Sequence, residues 1–158
     1  MIVALFFYLL SLVCWIGAIV FFSFFTAPVI FTRLPVAEAG KVVGAIFPLY
    51  YALGYVAGPL SIALASYFAS VRSARTWWVG SAVLLGISLA LTLYAGMVVR
   101  PKVQLVRSVV EETNPDPATK ARFDSLHRLS VQLNGAVLLL NLLALASTAA
   151  ALSSDGQT

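Results

Sequence analysis

In the stretch RFDSLHRLSVQLNGAVLLLNLLALAS, positions 122–147, the polar side chains Asp124, His127, Arg128, Gln132, Asn134 and Asn141 run from a charged segment into one that only lipid would accept. His127, Asn134, Asn141 and Thr148 recur at intervals of seven. A helix drifts by about 20° per heptad, so the four share one side. Polar groups at membrane depth turn into a bundle or toward water, where they find partners. Two readings of Asn141 and Thr148 follow: hydrogen bonds to facing helices that serve packing, or stations in a functional polar stripe.

His127 lies closer to the headgroup level. A carboxylate three residues earlier, Asp124, favours the imidazolium and would make His127 a proton or cation gate. The bland alternative is an interfacial histidine capping a packed corner. Asp124 and Arg128 form an i,i+4 pair with the acid first, the favourable order. By depth, Asp124, His127 and Asn134 fall level with Tyr50, near the start of one span, and with Arg100, at the end of another. These five are the candidate ligand-binding residues. A tyrosine hydroxyl and a carboxylate would let Arg100 turn inward instead of reaching for headgroups.

Metal and haem chemistry is tested by counting. One histidine and one cysteine, Cys14, on different spans do not close a zinc or copper site within one chain. Haem held by two histidines would need a second chain, which disfavours an oxidoreductase. No HExxH, GxSxG, P-loop or GxGxxG element is present. The expectation is a non-enzymatic protein with neither cofactor nor metal.

The elements that must position these residues are set by composition. Of 158 residues, 61% are hydrophobic and 10% charged, outside the soluble range. The net charge of +4 resides in clustered loops that would face anionic headgroups, so nucleic acid is not an expected partner and the lipid bilayer is. Apolar runs of about 20 residues cross the hydrocarbon layer. Four occur, at about 2–27, 45–69, 77–99 and 129–152, predicting an all-α, four-helix membrane bundle of one domain. The first lacks a basic n-region and is too long for a signal-peptide core, so it reads as a retained span with a bend at Pro28.

Eight of the ten Lys and Arg fall in the first and third loops, Arg33, Lys41, Arg100, Lys102, Arg107, Lys120, Arg122 and Arg128, against Arg72 and Arg75 in the second. The positive-inside rule then places both termini outside and loops one and three in the cytoplasm, as in a bacterial inner membrane. Trp77 and Trp78 fit an interfacial belt. Val103, Val106, Val109 and Val110 continue the third span as a helix past Pro101, and TNPDPATKARF makes a turn in which Asp116 caps a helix beginning at Pro117. Segment 100–128 is therefore a cytoplasmic helical hairpin.

Small residues mark the expected packing faces: Gly54, Gly58, Ser61 and Ala65 on span 2, and Ser81, Ser88, Thr92 and Gly96 on span 3. They are read as contacts within the chain, with a homo-oligomer as the alternative. Pro48 and Pro59 predict local departures from regular helix in span 2.

The pieces WIGAIVFFSFFTAPVIFTRLP, GAIFPLYY, VVRPK and FDSLHRLSVQLNG, in that order, resemble the transmembrane-protein-205-like family, small integral membrane proteins of bacteria and eukaryotes. The resemblance covers nearly the whole chain. It implies a four-helix membrane domain and directs attention to Phe47, Pro48, Tyr50, Arg100, Pro101, His127, Ser130 and Asn134. The hairpin tip is shorter than in animal members, so partner binding through that loop does not transfer. The reading that results is a bundle that binds or passes a small polar or cationic solute near its cytoplasmic end. The alternatives are an oligomerising scaffold with purely structural polar residues, and a haem-dependent membrane oxidoreductase.

Overall fold

The computed structural model describes residues 1–112 and 116–156. The turn at 113–115, the end at 157–158 and the side chains of 108–112, among them Val109 and Val110, lie outside the described residues. Helix is the sole regular structure among those described: α1 (Ile2–Phe21), a first π turn (Phe22–Thr26), α2 (Ala27–Arg33), α3 (Val36–Val71), α4 (Arg75–Tyr94), a second π turn (Ala95–Val99), α5 (Arg100–Glu112) and α6 (Pro117–Asp155). Four stretches, Ile2–Arg33, Val36–Val71, Arg75–Arg107 and Pro117–Asp155, are long and apolar enough to cross a membrane. The protein is an integral membrane four-helix bundle.

The helices pack in a ring, α1 on α3, α3 on α4, α4 on α6, and α6 back on α1. Helix α6 at 39 residues is about 58 Å long, roughly twice the apolar layer. Its surplus projects at one end, where it pairs with α5 as the expected hairpin. Asp116 caps α6 by accepting from the Thr119 N–H at 2.6 Å, with Pro117 in the first turn. Side-chain and backbone hydrogen bonding from Thr119 holds the Asp116 carboxyl below the usual carboxylate range. The first loop is far shorter than 28–44. Residues 27–33 remain helical and α3 resumes at Val36 after Leu34 and Pro35.

The four prolines within helices behave in two ways. Pro28 and Pro101 each stand two residues beyond a π turn. A proline cannot donate to the carbonyl four residues back, and its ring presses on that carbonyl. The π turn shifts the ladder by one residue: the Ala27 N–H reaches Phe22 O, and the Arg100 N–H reaches Ala95 O. Pro48 and Pro59 produce no such break, contrary to expectation, and α3 runs as α-helix through both. They are eleven positions apart, close to three turns, and so share one outward face of α3.

The small-residue faces are buried and meet. A Cβ on Gly54 would lie 3.0 Å from Thr92 Cγ2 and 3.2 Å from Trp15 Nε1, and one on Gly58 would lie 2.9 Å from Leu89 Cδ1. The expected crossing is therefore within the chain, between α3, α4 and the Trp15 ring of α1. The Ser11 and Ser61 hydroxyls add a bond of 2.7 Å between α1 and α3.

At the end of the bundle away from the hairpin, Asp155 fastens α6 to the α3–α4 turn. It accepts from Arg72 Nη1 at 3.2 Å and from the Ala74 N–H at 2.9 Å. The Arg72 guanidinium lies over the Phe68 ring at 5.3 Å.

Candidate functional site

Two adjacent tyrosines of α3 organise the hairpin end of the bundle. Neighbouring side chains on a helix diverge by about 100°, so Tyr50 and Tyr51 turn to different partners. The Tyr50 hydroxyl donates to Asn134 Oδ1 of α6, and Asn134 Nδ2 donates to Ser23 Oγ at 2.8 Å. One amide thus links α3, α6 and the first π turn. Phe22, also in that turn, packs on Phe47 and Tyr50 with ring centroids 5.3 and 5.2 Å apart.

Tyr51 turns toward the second π turn. Its ring stacks near that of Tyr55, with centroids 6.2 Å apart and planes 24° apart. Both lie against Gly96, where a Cβ would overlap the Tyr55 hydroxyl and stand 2.9 Å from the Tyr51 ring. Glycine is what permits this approach. The Ser130 hydroxyl approaches that of Tyr51, and the Arg100 guanidinium is close enough to act electrostatically on Tyr51 and Tyr55. The two π turns therefore converge on the Tyr50–Tyr51 pair, and π bulges recur at functional sites. Behind the pair is a cavity of about 10 Å³ lined by Trp15, Tyr50, Tyr51, Thr92, Asn134 and Val137, among others. That is room for one water-sized group.

Of the five expected ligand-binding residues, Tyr50 and Asn134 touch each other and line the cavity. Arg100 stands beside the neighbouring tyrosines and does not line it. Asp124 and His127 are exposed on α6 and contribute to neither feature. His127 stacks on Phe123, and Asp124 borders a shallow depression made by α6 residues alone. No ion pair joins Asp124 to Arg128 among the described residues. The cause is the half-buried apolar series Phe123, Leu126 and Leu129, which takes the inward side where α6 has left the bundle and packs on α5.

Deeper along the stripe, Thr148 bonds to the Tyr8 hydroxyl at 2.7 Å and approaches Ser81 Oγ at 3.2 Å, hydrogen bonds to facing helices of the kind the first of its two readings describes. Asn141 differs. It is wholly buried, and neither amide atom has a hydrogen-bond partner. Sequence reasoning did not reach Ser23, Tyr51 or Tyr55. Ser23 had a signal, as the one polar residue within FFSFF.

Over residues 10–112 the chain matches a family model described as a domain of unknown function, DUF4149. It is 31% identical over 134 residues to an uncharacterized protein of Aquifex aeolicus (strain VF5), an alignment covering 85% of this chain and 86% of that one. No solved structure matches it. The chain belongs to the DUF4149 family.

Proposed function

We propose that this member of the DUF4149 family is a non-enzymatic membrane protein that binds or passes a small polar or cationic solute at the Tyr50–Asn134 cavity. The observation that carries the reading is the Asn134 amide, held between Tyr50 and Ser23 at the edge of a cavity where two π turns meet. Its lining offers an amide, hydroxyls and aromatic faces, a combination that hydrogen-bonds polar groups and attracts cations to ring faces. No carboxylate or imidazole is among the lining residues to take a proton from a hydroxyl, which favours binding over catalysis. The resemblance to the transmembrane-protein-205-like family supports the same site, because GAIFPLYY supplies Tyr50 and FDSLHRLSVQLNG supplies Asn134.

Native mass spectrometry of gently extracted protein tests the proposal. A co-purifying small ion, present in the natural chain and lost in Asn134→Leu, is the expected result. Natural protein free of any adduct, with Asn134→Leu merely less stable, would favour a scaffold whose polar residues only pack helices. The haem reading has little residue-level support, since the single histidine is exposed and stacked on Phe123. A colourless purified protein would dispose of it.

A further inference from the structure

We propose that Arg100, Tyr51, Tyr55 and Ser130 form a binding site for a phosphate-type oxyanion, distinct from the Tyr50–Asn134 cavity and sharing only Tyr51 with it. Arg100 follows directly on the apolar run of α4 and the second π turn. Its Nε is fully buried without a hydrogen-bond partner. Among the described residues the side chain makes no ion pair either. Removing a guanidinium N–H from water with nothing to receive it is costly, and an ion that accepts from it recovers that cost.

The surroundings decide the sign of the ligand. Tyr51 and Tyr55 both pack on Gly96, four residues before Arg100 on the same helix, within electrostatic reach of the guanidinium, and the Ser130 hydroxyl adjoins that of Tyr51. The acids with described side chains stand elsewhere: Glu38 is exposed in the first turn of α3, Asp116 caps α6, Asp124 is exposed, and Asp155 is fastened to Arg72 at the far end. A cation would meet an uncompensated positive charge here. An oxyanion would meet a planar five-donor fork, suited to two parallel bonds, plus hydroxyl donors. Gly96 keeps the place open to the tyrosines, since any side chain there would displace the Tyr55 hydroxyl.

Depth is consistent with this chemistry. Arg100 sits where the third crossing helix leaves its apolar stretch, the level of lipid phosphates. A phospholipid headgroup and free phosphate offer the same acceptor oxygens, and experiment can separate them.

The full chain in neutral detergent would be titrated with inorganic phosphate and, separately, with short-chain phosphatidylglycerol, following the melting temperature. At least one should raise it saturably. A response to phosphatidylglycerol alone assigns the site to lipid, and a response to both assigns it to the phosphate group itself. Arg100→Gln should weaken the response by about tenfold or more, whereas Lys102→Gln, an exposed basic neighbour, should leave it within about twofold. Tyr55→Phe should weaken it severalfold, and it stands in for Arg100→Gln should that variant not fold. No saturable response to either compound, or equal losses in Arg100→Gln and Lys102→Gln, overturns the proposal. Because neither Arg100 nor Tyr55 lines the cavity, solute retention there can fail or succeed independently.

Discussion

The Tyr50 hydroxyl donates to the side-chain oxygen of Asn134 from the opposite helix of the bundle, while the amide nitrogen of Asn134 is spent on Ser23. Removing the two ends of this link has unequal effects. Tyr50→Phe deletes one donor and should cost about 1 kcal/mol. Asn134→Leu strands both the Tyr50 and Ser23 hydroxyls in a low-dielectric interior and should cost about 2–3 kcal/mol. The double variant Tyr50→Phe/Asn134→Leu should then be less damaged than the sum. Unfolding in mixed detergent micelles measures all three, and strict additivity would show that the two groups do not interact.

How far such a link could be read beforehand depends on what sets it. Helix positions follow from apolar length, and the Asp116 cap from local chemistry, so both are legible in the sequence. The Gly54–Gly58 face is legible for a related reason: small residues at that spacing have little use except close approach. Prolines are a different case. Pro28 and Pro101 follow π turns and Pro48 and Pro59 do not, although the residue is the same and all four are exposed, so residue type and facing do not specify the outcome. The choice between Tyr50 and Tyr51 as the partner of Asn134 depends on helix rotation, which no periodicity specifies. Asp124 and His127 were placed by depth, and depth says nothing about facing. Where α6 outruns the bundle, Phe123, Leu126 and Leu129 decide that instead.

Bulk at the α3–α4 crossing should be expensive. Gly54→Leu and Gly58→Leu would drive a side chain into Thr92, Leu89 and the Trp15 ring, and each should cost about 2 kcal/mol or more. Ala63→Leu, on the exposed side of the same helix, should change stability by less than about 0.5 kcal/mol. Thermal melts in detergent that show equal losses for all three would mean that the glycines do not define the crossing.

The distribution of Lys and Arg predicts that both termini face outward and the α5–α6 hairpin faces the cytoplasm. Asp155 is a poor reporter of this, because it is held by Arg72 and Ala74. Ser153 is exposed beside it. Ser153→Cys in a Cys14→Ala background should react with an impermeant thiol reagent on intact cells. Protection until the membrane is opened would reverse the topology.

Asn141 is the residue of the stripe with most to reveal. Ser88 donates to the Val137 carbonyl below it and Ser81 to the Ala144 carbonyl above it, so Asn141 is enclosed by α4–α6 contacts yet bonded to none. A buried amide without partners carries its desolvation cost uncompensated, about 1–3 kcal/mol. Asn141→Leu removes that cost at modest change in volume and should stabilise the bundle by about 1 kcal/mol, after some loss to added bulk. Asn141→Ala adds no bulk and should be close to neutral, the small cavity offsetting the relief. Retention of a costly group would then be explained by solute passage, so Asn141→Leu should combine a raised melting temperature with reduced solute retention. If both variants lose about 2 kcal/mol or more, the amide has a partner that matters for stability, and Asn141 belongs with Thr148 as packing.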